Sequence, residues 1–493
     1  MQYLINIGIK QIVGVLGSGD SYKLVETFVQ KGGEFLEAPT EFSSPIIASS
    51  INKLWDNKAF AASISIRGPG LVSSLPGLYH NQTEDLNSFS ISESLSNSEL
   101  NYNSHKIFDL DNALLSLGLQ KYKGSNVIKT LESKFNSSIN PENYFFHFTT
   151  RGQYFYQYKR SINEMCNNRK KIPKSSSRSL VFVIGKRGIE YLIKNHDILL
   201  HVPFFLTPAA LSLVDLNNHN FLGVWTGNEQ FKAYLSDSNL LDNSIIIRVG
   251  VMKRELLTLK EKLPHYDFPL NSRNNYLNFM EILDGIKFNP QHSEKSKLET
   301  FRKDLAERSG TWSTYTVISI INSLKLDVNY CFDVGSFATI IENYIRPLRL
   351  GRLHSAFIGK FMGTAVPISM GVSMAEPSTP VLCMLGEGGF SSSSNEIAAI
   401  ANLNLPVCIL VFANGSMHSI VGPKMLDDKV SNKFFPPNYF SLEKTKIPNL
   451  PTYQVNSAKQ FEVAISNWSK KSPILIFLKF SPESYAKGVE SLR

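Results

Sequence analysis

The chain has 493 residues, 43% of them hydrophobic, and a formal net charge of +9. That length is enough for two or three domains with buried cores. The basic residues are scattered apart from one cluster at 169–174, whereas a nucleic-acid surface needs clustered basic residues among aromatic ones. The composition therefore indicates a globular protein with a solvated linker at that cluster and no nucleic-acid partner.

The four cysteines are Cys166, Cys331, Cys383 and Cys408, and they lack the spacing of a Cys/His metal site. Cys383 and Cys408 lie in apolar strand-like runs, which predicts buried thiols in a reducing, cytoplasmic compartment. The apolar N-terminal segment has neither a basic region nor a small-residue cleavage site, so we expect no signal peptide. No apolar run is long enough to predict a membrane span.

Residues 1–160 form the first predicted unit, in which short apolar runs alternate with helical patterns. Its predicted elements are a strand at 11–17, a helix at 21–33 that ends in glycine, a strand at 59–70 stopped by Gly-Pro-Gly, and an aromatic-rich strand at 143–149. Such alternation is typical of a parallel sheet with helices on both faces.

A basic, serine-rich segment at 166–178 is predicted to link this unit to a second one at 175–290. The second unit opens with the strand and glycine turn SLVFVIGKRG (179–188) and continues with strand-like runs at 198–205 and 244–251. The GKRG turn is a weak nucleotide-binding signal. An ordinary strand-to-helix turn explains it better because no full G-x-G-x-x-G follows, and we expect this unit to hold no nucleotide.

The third predicted unit, residues 300–493, repeats the α/β pattern. Its predicted elements are helices at 314–324 and 395–404 and strands at 329–335, 380–389, 405–415 and 472–480. The first and third units look like one architecture used twice. We therefore expect an α/β protein built of three doubly wound parallel-sheet domains.

Two strand ends in the third unit predict a ligand site. Gly386, Glu387, Gly388 and Gly389 follow one strand, and Asn414 follows the next. Ligands of open α/β sheets lie beyond the carboxyl ends of strands, where glycine N–H groups can approach a phosphate. A carboxylate beside a phosphate favours a divalent cation between them, with the Asn414 amide oxygen and a nearby carbonyl as further ligands. Alternatively, Glu387 caps a helix and Asn-Gly forms an ordinary turn.

These segments resemble the thiamine-diphosphate motif of the acetolactate synthase/pyruvate decarboxylase superfamily, in which GDG is followed further along by NLPV and NN. Here the motif is GEG at 386–388, NLPV at 404–407 and AN at 413–414. Upstream, GKFMGTAVPISMG (359–371) resembles the family's GLGTMGFGLPAAIGA, and DVGSF (333–337) resembles its D-x-G-x-H.

The first unit resembles the pyrimidine-binding domain of the same family. VGVLGSGDSYKLVE (13–26) is similar to its FGVPGG segment, EAPTEFSSPIIASSI (37–51) to its RHE-x-x-A segment, and ISIRGPGLVSSLPGL (64–78) to its TSGPGATNLVTGL. The middle unit is similar to the family's central domain only loosely. The resemblance implies pyrimidine-binding, central and diphosphate-binding domains in that order.

The resemblance also implies thiamine diphosphate and Mg²⁺ or Ca²⁺ as cofactors. Glu41 matches the glutamate whose carboxyl group shifts the pyrimidine ring towards the imino tautomer that removes the thiazolium C2 proton; Glu37 is the neighbouring alternative. The other matched positions are Gly388 and Gly389 at the diphosphate, Met362, Gly363 and Ser336 beside the cofactor, and Glu387, Asn414 and the carbonyl of Ser416 at the metal.

Several residues depart from the family pattern. Glu387 replaces an aspartate, Phe337 stands at a diphosphate-binding histidine, Leu16 replaces a proline and Ala365 replaces a glycine. The additional methylene of Glu387 shifts its carboxylate by roughly 1–1.5 Å, which matters more for octahedral Mg²⁺ than for Ca²⁺.

The segment after Gly77 lacks the family's small apolar residues and instead contains His80, Gln82, Glu84 and Asp85. Relatives place catalytic groups near this segment. For all four residues we expect a surface position in preference to a catalytic one.

The reaction that the resemblance implies begins with decarboxylation of a 2-oxo acid and leaves an enamine intermediate. Attack of the enamine on a second carbonyl makes a carbon–carbon bond, as in acetolactate synthase, and its protonation releases an aldehyde, as in a simple decarboxylase. A third alternative is a catalytically drifted, cofactor-binding paralogue that acts as an assembly partner. In the family the pyrimidine domain of one subunit faces the diphosphate domain of another, which implies a homodimer or homotetramer.

Overall fold

The computed structural model describes residues 2–6, 8–17, 20–55, 60–93, 110–123, 145–149, 154–158, 179–192, 204–218, 220–225, 244–256, 265–268, 303, 307, 310–415, 447–481 and 484–485. These residues form three sheets, which we call the N-terminal, middle and C-terminal sheets. The predicted linker at 166–178 lies outside the described residues, and the predicted domain boundaries stay predictions.

The N-terminal sheet has the strand order β2-β1-β3-β4-β6-β7-β5. Its strands are β1 (Ile9–Gly14), β2 (Glu34–Glu37), β3 (Phe60–Ser65), β4 (Ser88–Ser92), β5 (Leu119–Lys123), β6 (Phe145–Thr149) and β7 (Tyr154–Tyr158). Its helices are α1 (Gln2–Asn6), α2 (Asp20–Gln30), α3 (Ser43–Leu54), α4 (Pro69–Thr83) and α5 (Leu110–Ser116). Neighbours from β2 to β6 pair in parallel as predicted, whereas β7 pairs antiparallel with β6 and β5, so this sheet has an antiparallel edge.

The middle sheet is parallel and has the order β10-β9-β8-β11-β12. Its strands are β8 (Ser179–Ile184), β9 (Phe204–Leu206), β10 (Phe221–Val224), β11 (Ser244–Val249) and β12 (His265–Phe268). Helix α6 (Lys186–Leu192) begins two residues after β8 ends. The GKRG segment is thus a strand-to-helix turn, which was the preferred interpretation of its sequence.

The C-terminal sheet is parallel and has the order β14-β13-β15-β16-β18-β17. Its strands are β13 (Asn329–Phe332), β14 (Leu353–His354), β15 (Val381–Gly386), β16 (Val407–Ala413), β17 (Thr452–Val455) and β18 (Ile474–Lys479). Its helices are α7 (Thr314–Ser323), α8 (Ser336–Tyr344), α9 (Ala365–Ala375), α10 (Glu387–Ser392), α11 (Ser394–Asn402) and α12 (Ala458–Ser466). The order β14-β13-β15-β16 repeats the order β2-β1-β3-β4, so one architecture is indeed used twice.

The apolar runs of the C-terminal sheet supply two cores because successive side chains point to opposite faces. In β15, Leu382 and Met384 belong to the core shared with the middle sheet, whereas Val381, Cys383 and Leu385 belong to the core shared with α3. The C-terminal sheet therefore lies between the other two units. This is why its strands read as continuous apolar runs with no polar face.

The prediction that Cys383 and Cys408 are buried thiols is confirmed. Cys331, Cys383 and Cys408 are free and fully buried in adjacent strands. Cys166 lies outside the described residues. Among the helices that the structure describes, none is both long and apolar enough to cross a membrane.

Helices α3 and α9 join the N-terminal and C-terminal sheets. A Cβ atom on Gly371 of α9 would lie 2.5 Å from the carbonyl oxygen of Ile47 and 2.7 Å from Cβ of Ser50, both on α3. Glycine at this position allows the helix backbones to approach closely. Around it, Ile46, Ile47 and Ile51 share one core with the strands of the C-terminal sheet.

Gly371→Val is expected to lower the free energy of unfolding by about 1–3 kcal/mol, because the added side chain would push α3 and α9 apart. The measurement is the midpoint of urea unfolding. Ser373→Ala on the same helix is the control: it adds no volume and removes a buried hydroxyl that makes no hydrogen bond. Equal midpoints for Gly371→Val and the wild type would contradict the close-packing account.

Candidate functional site

Two strand ends of the C-terminal sheet meet through Glu387. Its Oε2 atom accepts hydrogen bonds from the backbone N–H groups of Asn414 and Gly415, both at 2.9 Å. Glu387 directly follows β15 and Asn414 directly follows β16, and these neighbouring parallel strands deliver both residues to one edge. The exposed fractions are 4% for Glu387 and 7% for Asn414. The structure therefore brings these two predicted metal ligands together.

The oxygen donors at this edge fit a hard divalent cation. A carboxylate and a side-chain amide oxygen are ligands that Mg²⁺ and Ca²⁺ accept. The third predicted ligand, the carbonyl of Ser416, lies outside the described residues. Within the part of the chain that the structure describes, no group of three or more His, Cys, Asp or Glu side chains is placed to hold a metal. A cation here would therefore need further oxygen atoms from the backbone or from a bound phosphate.

Two glycines, Gly388 and Gly389, follow Glu387 at the same strand end. A Cβ atom on Gly389 would lie 2.2 Å from Oδ2 of Asp333, so a side chain at this position would collide with that carboxylate. Gly388 is half-buried in the first turn of α10, where backbone N–H groups have no acceptor within the helix. Packing against the buried Asp333 carboxyl group thus explains why residue 389 is a glycine. Gly388 lies in the first turn of a helix, where its backbone N–H group is available to a ligand.

Asp333 was not among the residues that the sequence singled out as site residues, although it lies in a matched motif. Its Oδ2 atom accepts the N–H of Gly363 at 2.7 Å, and its Oδ1 atom has no hydrogen-bond partner. Burial raises the pKa of Asp333 to about 7, although N–H groups including that of Gly363 oppose the rise. The signal in the sequence was an acidic residue directly after a buried strand, next to the point where the strand order reverses.

Two further predicted contacts, Met362 and Gly363, lie in the loop 358–364 that leads into α9. Gly363 has φ +81°, and a Cβ atom there would lie 2.6 Å from Oγ of Ser392. The left-handed backbone conformation at this position therefore favours glycine. Met362 leaves 47% of its surface exposed at the same place.

Ser336 and Phe337 begin α8 at the end of β13. Ser336 is 2% exposed. The Phe337 ring stacks on Phe412, with centroids 5.0 Å apart and an interplanar angle of 13°. An apolar ring donates no hydrogen bond to a phosphate, so Phe337 contributes packing where the family's histidine contributes a donor.

The structure distinguishes Glu41 from its neighbour Glu37. Glu37 is exposed at the end of β2, whereas Glu41 is half-buried, with its Oε1 atom 3.5 Å from where a Cβ on Gly70 would lie. Beside Glu41, Thr40 Oγ1 donates a hydrogen bond of 2.7 Å to Oε1 of Glu396 on α11. The turn that carries Glu41 thus contacts α11 of the C-terminal unit.

The expected surface position is wrong for three of the polar residues after Gly77. His80, Glu84 and Asp85 are 0%, 5% and 4% exposed, while Gln82 is partly buried. Burial lowers the pKa of His80 to about 4, and its neutral ring packs edge-on against Phe361. The sequence predicted the units but not the surfaces through which they contact each other, and packing across those surfaces buries these side chains.

The GKRG turn contacts the N-terminal unit through its two basic side chains. Lys186 Nζ donates to the backbone oxygen of Glu84 at 2.7 Å, and Arg187 forms an ion pair of 2.8 Å with Asp85. Asp85 is 4% exposed, so this ion pair is largely shielded from solvent. These contacts give Lys186 and Arg187 a structural role between units.

Comparison with known proteins finds a family match in the part of the chain that contains these strand ends. Residues 333–476 match the family described as thiamine pyrophosphate enzyme, C-terminal TPP binding domain. This match begins at Asp333 and includes the ends of β15 and β16. The matched segment therefore contains Glu387, Gly388, Gly389 and Asn414.

Curated relatives align with parts of the chain. The chain is 24% identical over 180 residues to a probable acetolactate synthase large subunit of Methanococcus aeolicus, covering 36% of this chain and 30% of that protein. It is 36% identical over 122 residues to a probable acetolactate synthase large subunit of Methanocaldococcus jannaschii, covering 24% and 19%. It is 22% identical over 158 residues to a pyruvate oxidase of Lactiplantibacillus plantarum, covering 31% and 26%. The chain thus aligns with less than a third of each relative's length.

Asp333→Asn tests the buried carboxyl group. The pKa of Asp333 is about 7 in the folded chain and 3.8 for an aspartate in the unfolded chain. Between these pH values the folded wild type binds more protons than the unfolded chain, so the wild type loses stability as the pH rises. Asparagine does not titrate. The free energy of unfolding of the variant relative to the wild type should therefore rise by about 1.4 kcal/mol per pH unit from pH 4 to 7 and level off above. A pH-independent difference in urea unfolding would contradict the raised pKa.

Proposed function

We propose that this chain, a relative of the thiamine-diphosphate-dependent enzymes of the acetolactate synthase and pyruvate decarboxylase superfamily, is itself such an enzyme and acts on 2-oxo acids. The observation that carries the proposal is the hydrogen-bonded approach of Glu387 to Asn414. This hydrogen bond joins the Glu387 carboxylate to the backbone of Asn414 at one sheet edge, next to Gly388 and Gly389 and inside the segment that matches the cofactor-binding family.

In this proposal the Glu387 carboxylate and the Asn414 side chain hold Mg²⁺ or Ca²⁺ together with the carbonyl of Ser416. Gly388 and Gly389 lie beside the diphosphate. The remaining cofactor-binding residues are Met362, Gly363 and Ser336. The hard oxygen donors at the two strand ends support the metal assignment, and the half-buried glycine in the first turn of α10 supports the position of the diphosphate.

Glu41 is the proposed catalytic residue. When bound, thiamine diphosphate supplies a thiazolium carbon that attacks a carbonyl group and then acts as an electron sink. The part of Glu41 is to share a proton with the pyrimidine ring. Its half-buried position, on a turn that contacts α11, supports this role better than the exposed position of Glu37 does.

The proposed outcome is a decarboxylating carboligase, which forms a carbon–carbon bond between two carbonyl compounds. Support comes from the relatives named acetolactate synthase, which align with this chain at 24% and 36% identity over limited segments. A simple decarboxylase would use the same residues and protonate the product carbon. Incubation with a panel of 2-oxo acids and aldehydes, with mass spectrometry of the products, distinguishes the two outcomes.

A drifted paralogue that serves as an assembly partner is the second candidate. The stacking of Phe337 on Phe412 favours it, because a hydrogen-bond donor to the diphosphate is replaced there by an apolar ring. Such a protein would bind the cofactor weakly or not at all and would release no product.

We further propose a homodimer or homotetramer in the cytoplasm. Since α3 and α9 already pack together within one chain, the outer face of α4 is the expected contact. It exposes Val72 and Tyr79 by 43% and 48%, and Met362 lies exposed in the loop whose Phe361 contacts Tyr79. The buried free thiols, such as Cys331, support a reducing compartment.

Cofactor binding is the first test. Millimolar thiamine diphosphate with Mg²⁺ should raise the melting temperature of the wild type by a few degrees, since ligand at about 100 times its Kd adds about 2.7 kcal/mol of stability. Glu387→Gln keeps the length of the side chain but removes the charge, and it should abolish the Mg²⁺-dependent part of the rise. No shift in the wild type at millimolar cofactor would favour the drifted paralogue.

Glu41→Gln should retain cofactor binding and lose 2-oxo acid decarboxylation by about a hundredfold or more, because an amide cannot take part in the proton transfer. The measurement is carbon dioxide release together with the cofactor-induced thermal shift. Glu37→Gln is the matched control on the exposed neighbour and should turn over like the wild type. Unchanged turnover in Glu41→Gln would remove Glu41 from the mechanism.

A further inference from the structure

The loop 358–364 is held at its start by a carboxylate from another unit. Glu84, which follows α4, accepts the backbone N–H groups of Ile358 at 2.9 Å and Gly359 at 2.6 Å. Glu84 is 5% exposed. Burial raises its pKa, although these N–H groups and the Lys186 ammonium oppose the rise. The carboxylate is thus committed to the backbone of this loop.

A second buried carboxylate holds the end of the same loop. Asp333 accepts the N–H of Gly363 at 2.7 Å, and Ser393 Oγ donates to the Gly363 carbonyl at 3.2 Å. Between the two anchors, Lys360 pairs with Glu342 on α8 at 2.8 Å.

Met362 is the large apolar side chain that this anchored loop exposes, at 47%, while Gly359 and Lys360 of the loop are exposed as well. The anchored backbone therefore presents one large apolar side chain to solvent. Presenting it in a fixed position saves the conformational entropy that a mobile loop would lose when a ligand binds.

Both anchors of the loop are buried acids, and burying a carboxylate is costly unless hydrogen bonds compensate for its lost hydration. A loop that was held by apolar packing alone would not need buried carboxylates. Glu84 and Asp333 come from different units, so the position of the loop depends on how the N-terminal unit docks on the C-terminal one. Lys186 of the middle unit donates to the backbone oxygen of Glu84, so the middle unit also helps to hold Glu84 in place.

We propose that Glu84 and Asp333 are positioning residues that fix the loop 358–364, and with it Met362 and Gly363, for cofactor binding. The inference rests on the proposed function and deepens it. Neither residue is proposed to touch the reacting atoms. Because Glu84 belongs to the N-terminal unit, the position of the loop 358–364 in the C-terminal unit depends on how these two units pack together.

The first experiment measures backbone hydrogen exchange of the full chain without cofactor. Glu84→Ala should speed the exchange of the Ile358 and Gly359 amides about tenfold or more, because it removes charge-assisted hydrogen bonds. Amides of β15 and β16 should keep their protection, which shows that the variant is folded. Glu376→Gln is the matched control: it alters a partly buried acid of the C-terminal unit that pairs with Arg352, outside the loop.

The second experiment measures the Kd of thiamine diphosphate in the presence of Mg²⁺. Glu84→Ala and Asp333→Ala should each raise it about tenfold or more, whereas Glu84→Gln and Asp333→Asn, which keep one acceptor oxygen, should recover most of the affinity. Glu376→Gln should bind like the wild type. A purely structural role would lower the melting temperature of the alanine variants and leave Kd unchanged.

Faster loop exchange together with weaker cofactor binding supports the proposal. Unchanged exchange, or faster exchange with wild-type Kd, overturns it while the proposed function stands. If the wild type itself binds no cofactor, the proposed function fails and the positioning role fails with it. That result is recognised because the wild type and the Glu376→Gln control fail alike.

Discussion

The hydrogen bonds from the backbone of Asn414 and Gly415 to the carboxylate of Glu387 are the interaction on which the candidate site depends. They connect the carboxyl ends of two neighbouring parallel strands, each of which is buried on both faces. Since those strands have no polar face, the polar side chains that can bind a ligand lie at the strand ends. The Glu387 carboxylate therefore links one strand end to the next, at the edge of the sheet where ligands of open α/β sheets bind.

Buried carboxyl groups accept backbone N–H groups in other parts of the structure as well. Glu84, Asp333 and Glu255 are buried acids that accept backbone N–H groups: Glu255 receives the N–H of Lys186 at 3.3 Å and the hydroxyl of Thr207 at 2.5 Å. Burial raises the pKa of each, to about 7 for Asp333 and Glu255. Such groups are stable only when their hydrogen-bonding geometry is met. They therefore specify loop positions that apolar packing alone would leave less defined.

The departures from the family pattern at Phe337 and Glu387 are physically connected. Phe337 lies 3.5 Å from where a Cβ on Gly386 would be, just before Glu387, and it stacks on Phe412 near the end of β16. The Phe337 ring thus packs against the ends of β15 and β16, the two strands whose ends the Glu387 carboxylate links. An aromatic ring without a hydrogen-bond donor therefore lies next to the strand ends that carry the candidate oxygen ligands.

The sequence by itself determined the α/β class, many of the strands and the architecture that the first and third units share, because apolar periodicity and glycine positions are local properties of the chain. The strand order within each sheet and most of the helices came from the tertiary structure. The sequence also identified Glu387, Asn414 and the glycines, since strand ends can be located from strand patterns. Only the tertiary structure decided that His80, Glu84 and Asp85 are buried, that Asp333 contacts Gly363, and that Glu37 is exposed while Glu41 is half-buried. The reason is that burial at a boundary between units, and the partner that satisfies a buried acid, depend on residues far apart in the sequence, whose docking no local pattern encodes.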